Sequence, residues 1–82
     1  MAQTNLENDN LTEYLTLGRA GGGENIVDTI SASSLKEAAR QAAINILQCQ
    51  HPDYNDVLII ELVTDQAFSY VTNLVFEAEQ LR

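Results

Sequence analysis

The sequence predicts an α+β fold: a small antiparallel sheet with one helix packed on it, in the order β-β-α-β-β. Three observations point there. An Ala-rich stretch with helical periodicity sits in the middle of the chain behind a serine cap. Runs of β-branched, aromatic and leucine residues lie on both sides of it, and segments rich in Gly or in Asp, Asn and Pro separate the blocks. A length of 82 residues with a hydrophobic content of 45% suits one small domain, too apolar for an acidic disordered chain.

Residues Met1 to Asn10 (MAQTNLENDN) are polar and read as a flexible lead-in, which leaves 11–82 as the domain. Leu11 to Leu17 (LTEYLTL) is dense in strand formers, with Leu11, Glu13, Leu15 and Leu17 on one parity and Thr12, Tyr14 and Thr16 on the other. Gly18 to Asn25 forms a Gly-rich connection, and Ile26 to Ser31 (IVDTIS) resumes as a second strand, so the pair reads as a hairpin with a loose tip carrying Arg19.

Ser33 or Ser34 can then N-cap a helix whose N3 residue would be Lys36 or Glu37, with Ser34 to Glu37 giving the Ser-x-x-Glu capping box. Leu35, Ala38, Ala39, Ala42, Ala43, Ile46 and Leu47 follow at helical spacing as one apolar stripe, and the small alanines let such a helix lie flat on a sheet. Gln48 to Asp56 (QCQHPDYND) closes the helix at Pro52. Val57 to Thr64 (VLIIELVT) is the strongest strand and is expected to be central.

The last segment carries two competing patterns. With period two, Phe68, Tyr70, Thr72, Leu74 and Phe76 share a face opposite Val71 and Val75 after a tight Asp65-Gln66 turn; with period 3.6, Ala67, Val71, Leu74, Val75, Ala78 and Leu81 make a stripe. The density of Phe, Tyr, Val and Thr favours a strand over Ala67 to Phe76, with a helical end in Glu77 to Arg82; the alternative order is β-β-α-β-α.

Twelve acidic residues against four basic ones give a formal net charge of −8. That sign repels nucleic acid and anionic membranes, so an electrostatically held partner should be a basic protein surface, including that of a nucleic-acid-binding complex. Direct nucleic-acid or membrane binding is not expected. Only Glu7 and Asp9 fall in the lead-in, so the other acids are carried by the folded part. Met1 to Asn10 lacks the features of a signal peptide and the chain holds a single cysteine, a combination that suits the cytoplasm.

No cofactor, metal or catalytic motif stands out. Gly18 to Gly23 (GRAGGG) lacks the Lys-Ser/Thr of a phosphate loop and is followed by Glu24. Cys49, His51 and Asp53 lack the second ligand pair of a zinc site. The expected places are Cys49 packed under the helix C-terminus and His51 against its dipole. Phe68 and Phe76 are expected in the core.

Candidate partner-binding residues are Asp53, Tyr54, Asp56, Glu61, Asp65, Glu24 and Asp28: acids in loops and at the hairpin, with a tyrosine suited to arginine. Glu61 is singular because it interrupts an apolar strand. It requires one exposed face or a cation, either Lys36 or Arg40 in cis or one from a partner.

The run Ile26 to Ala43 (IVDTISASSLKEAARQAA), a strand leading through a small-residue turn into an Ala-rich helix, resembles short phage and mobile-element proteins, among them several small anti-CRISPR proteins of similar size and acidity. The resemblance implies a non-enzymatic inhibitor, active in the host cytoplasm, that occupies a basic nucleic-acid channel or subunit surface of a defence complex. Two other classes compete. One is a small structural subunit that assembles as a homodimer or larger homo-oligomer, its acidity serving solubility. The other is a ligand-binding or enzymatic role involving Cys49 or His51.

Overall fold

Alternating strand formers, one capped helix and sharp turns build a single sheet with a helix on one side, described in a computed structural model over residues 11–53 and 56–81. The predicted lead-in and Tyr54 lie outside the described residues. Strands β1 (Thr12–Ala20) and β2 (Ile26–Ala32) form a hairpin, helix α1 (Leu35–Gln50) crosses back, and β3 (Val57–Thr64), β4 (Tyr70–Glu77) and a short helix α2 (Ala78–Leu81) complete the chain. All neighbours pair antiparallel, in the sheet order β2-β1-β3-β4. The α+β class and the order β-β-α-β-β are thus present, with the short C-terminal helix added after β4.

The first strand runs three residues past its expected end, so the turn begins at Gly21 and Arg19 belongs to β1 instead of the hairpin tip. Gly22 adopts φ +82, a conformation that glycine tolerates and that the tight turn needs. The turn is tied to β3, since the Gly21 N–H donates to the Val57 carbonyl at 2.8 Å.

Of the two serines expected as caps, Ser34 is the one that caps α1: its hydroxyl oxygen accepts the Glu37 N–H at 3.1 Å. The stripe Ala38, Ala39, Ala42, Ala43, Ile46 and Leu47 is buried against the sheet. Methyl-sized side chains bring the helix axis close, and Gly18 meets it from β1: a Cβ placed there would stand 3.1 Å from Ile46 Cδ1 and 2.7 Å from Ile60 Cδ1. Tyr14, Ile30, Leu58, Ile60 and Val63 supply the sheet side of this core.

At its C-terminus α1 stops at Gln50. His51 takes the left-handed conformation (φ 50) and donates its N–H to the Leu47 carbonyl at 3.1 Å, so its backbone closes the helix. Cys49 is exposed, which corrects the expectation that it packs beneath the helix end. It falls outside the buried stripe set by Ala42, Ile46 and Leu47.

β3 is central, as expected, but its alternation breaks in the middle. Opposite β1 the register passes from Gly18↔Ile60 to Leu17↔Leu62, leaving Glu61 as an extra residue. Opposite β4 it passes from Ile60↔Leu74 to Leu62↔Thr72, and Asn73, across from Glu61, takes φ 57. The register with β4 runs through unshifted, but the side-chain alternation of β4 breaks at Asn73, so the period-two reading of the last segment is corrected. Tyr70, Thr72, Leu74 and Phe76 do not share a face: Leu74, Phe76 and Val71 pack towards the helix layer, while Tyr70 and Val75 stand exposed. The strand itself starts at Tyr70, because Asp65 organises a wider turn than the expected two residues. Its Oδ1 accepts the N–H groups of Ala67 and Ser69, both at 2.9 Å. Phe68, expected in the core, is 82% exposed on that turn.

Candidate functional site

Helix α1 covers one face of the sheet, and no described element covers the other. In β1 the even positions Tyr14, Thr16, Gly18 and Ala20 turn towards the helix, so Glu13, Leu15, Leu17 and Arg19 turn away. Register then assembles the open face row by row. Thr29, Leu15, Thr64 and Tyr70 lie across it, then Val27, Leu17, Leu62 and Thr72, then Arg19, Ile59 and Val75. Leu15 is 46% exposed, and Val27, Tyr70 and Val75 more than 60% each. Isolated surface leucines need no explanation, but a contiguous apolar field on a sheet marks an interaction surface.

The charge within this field is balanced internally. Glu61, the bulge residue, forms an ion pair with Arg19 across the strands, both side chains about one-third exposed. This resolves the predicted conflict over a carboxylate inside an apolar run. The bulge places Glu61 on the open side, and its cationic partner is Arg19, not Lys36 or Arg40 as anticipated. Acids that have no ion-pair partner among the described residues stand at the ends of the face: Glu13 on β1 at one end, Glu77 on β4, opposite Val57, at the other.

The predicted contact residues do not gather on one surface. Glu24, Asp53 and Asp56 come together around a depression of about 470 Å³ beside the hairpin turn and the end of α1. There Gln50 braces the turn, its Oε1 accepting the Ala20 N–H at 2.9 Å and its Nε2 donating to the Glu24 carbonyl at 2.7 Å. The Asp56 carboxylate accepts the Asp53 N–H at 3.0 Å, and its carbonyl accepts the Ala78 N–H at 3.0 Å, which brings the Glu77–Glu79 segment to the same end. Asp65 lies at the opposite end of the sheet. Asp28 stands in a cleft of about 370 Å³ between β2 and α1, where its Oδ2 accepts from Asn45 Nδ2 at 3.3 Å.

Residues that the sequence reading passed over, Glu13, Leu15, Val27, Phe68, Tyr70 and Val75, form the open face and its border. One signal was present: β1 carries its leucines on the parity opposite Tyr14, so one of the two sets had to remain outside a one-sided helix layer.

Among the described residues, no three His, Cys, Asp or Glu side chains stand close enough to hold a metal ion, and no helix is long and apolar enough to cross a membrane. Cys49 borders the Asp28 cleft, while His51 lines the depression at the hairpin end, so the two do not share one pocket. No family model, no curated protein and no solved structure matches the chain.

Proposed function

We propose that this chain is a non-enzymatic protein-binding module that holds a basic partner protein on the open face of its sheet. One observation carries the reading: an exposed apolar field whose internal charge is paired as Arg19–Glu61, and whose ends carry Glu13 and Glu77, acids without an ion-pair partner among the described residues. Apolar centre and charged rim are the anatomy of a protein interface, with charge depleted where desolvation is complete. The acidic rim selects the partner. A second copy of the chain would set acid against acid at a net charge of −8 per molecule, whereas a rim of Lys and Arg is attracted.

Surfaces of that kind belong to proteins that bind nucleic acid, and a module seated there competes with the phosphate backbone. The function is then inhibition of a nucleic-acid-binding complex, of which a defence complex such as CRISPR-Cas is the instance implied by the resemblance of Ile26 to Ala43. The acidic end formed by Glu24, Asp53 and Asp56 supports the same reading as a second point of attraction.

Affinity capture with the wild type and with Val75→Glu, at about 0.05 M and 0.3 M salt, tests it. The expected result is a basic protein retained by the wild type, weakened by salt and lost with Val75→Glu. Sedimentation of the isolated chain supplies the contrary case: a stable dimer that Val75→Glu dissociates, with no salt-sensitive partner, would identify the open face as a self-assembly surface.

A further inference from the structure

We infer that the groove between Phe68 and Leu15 at the Asp65 end of the open face is a receptor for an arginine side chain of the partner. This rests on the basic-partner reading above and names the contact that anchors it. The groove is about 310 Å³, bordered by Glu13, Leu15, Thr29, Asp65 and Phe68.

Phe68 is the first reason. It is 82% exposed and sits at φ 67, a backbone region that bulky side chains rarely occupy. No described residue covers the ring, yet the turn that holds it is closed by four hydrogen bonds to Asp65. Asp65 donates its N–H to the Ser69 carbonyl at 3.0 Å, the Asp65 carbonyl accepts the Phe68 N–H at 3.3 Å, and Oδ1 accepts two further N–H groups. The loop thus presents an aromatic face beside a groove. Because Oδ1 is committed to the backbone, Oδ2 of Asp65 is the atom left to face a ligand.

Charge is the second reason. The groove has two carboxylates, Glu13 and Asp65, and no Lys, Arg or His in its lining. Among the described residues neither acid is ion-paired. Arginine fits this set better than lysine, because a planar guanidinium stacks on the Phe68 ring while its edge donates to a carboxylate, and its aliphatic stem lies along Leu15. Among the described residues of a second copy, the one cation on the open face, Arg19, is already paired with Glu61, and the net charge of −8 opposes self-association.

The test is a ¹⁵N-resolved titration of the full chain with an acetylated, amidated Gly-Arg-Leu-Arg-Gly peptide and with the same peptide carrying citrulline in place of arginine. The arginine peptide should shift Leu15, Thr29, Phe68 and Ser69, and the citrulline peptide should not. Phe68→Gly removes the ring while suiting the positive φ, so the turn keeps its shape; affinity should fall about two- to fivefold, and Phe68→Trp should recover it. Shifts confined to Glu24, Asp53 and Asp56, or an affinity indifferent to Phe68→Gly, overturn the groove while leaving the basic-partner reading in place. Equal binding of the citrulline peptide overturns arginine recognition. Absence of binding by either peptide at low salt removes the groove and the basic-partner reading together. A dimer that Phe68→Gly converts to monomer gives the groove to a second copy and overturns the arginine assignment.

Discussion

Substituting Gly18 by alanine isolates the close approach of helix and sheet on which the whole layer depends. The residue sits in β1 without a positive φ, so alanine is allowed by the backbone and should gain about 0.4–1 kcal/mol from a less flexible unfolded chain. Packing opposes this. The new methyl would lie 2.8 Å from the Ile59 carbonyl oxygen and 2.7 Å from Ile60 Cδ1, with Ile46 Cδ1 at 3.1 Å. The isoleucine methyl of Ile60 can rotate, but it is fully buried, and the carbonyl belongs to the central strand. Overpacking costs about 1–3 kcal/mol, and a clash with a backbone carbonyl that cannot rotate away puts this site in the upper part of that range, so the net loss is about 1–2 kcal/mol. For a domain of this size that lowers Tm by about 4–16 °C. Thermal unfolding followed by far-UV circular dichroism measures it. An unchanged or raised Tm would refute the close approach of α1 to β1 at Gly18.

Three further outcomes follow from single contacts. Ser34→Ala deletes the acceptor for the Glu37 N–H and should cost about 0.5–2 kcal/mol in urea unfolding, largely restored by Ser34→Asp. Gln50→Ala removes both bonds that brace the hairpin turn; hydrogen exchange at Ala20 and Gly21 should accelerate by about tenfold while the centre of β3 is unaffected, and uniform acceleration would count against a local brace. Cys49, being exposed, should react with iodoacetamide in the native protein at a rate close to that in urea, and Cys49→Ser should leave stability within about 0.5 kcal/mol; protection from alkylation would restore a buried thiol.

Local chemistry explains why the helix was so legible. Ser34, Glu37 and the alanine stripe lie within consecutive turns of one segment, and each acts on its immediate neighbours, so cap, length and buried face could all be read in order. The β-branched run of β3 and the Gly-rich turn are local in the same sense. The bulge is not. Glu61 becomes an extra residue only when β3 is set beside β1, and Asn73, across from it on β4, takes the left-handed conformation at which the faces of Tyr70 and Thr72 reverse relative to Leu74 and Phe76. Phe68 was misplaced because the Asp65 turn spends the residues that a tighter hairpin would have paired. The sequence located Glu24, Asp53, Asp56 and Asp65 in loops and turns, but it passed over Glu13 and Glu77, and which acids share an end of the molecule depends on pairings far apart in sequence.

By itself, then, the sequence determined the order of elements, the capped helix and its buried stripe, and an acidic character carried by the folded part of the chain. Those follow from side-chain type and from periods of two and 3.6 residues. Only the tertiary structure decided which face of β1 the helix would cover, that Arg19 would neutralise Glu61, and that Leu15, Val27, Tyr70 and Val75 would be left as one open field. A single helix can bury only one side of a four-stranded sheet, and the side it buries is set by where the alanine stripe and Gly18 permit contact.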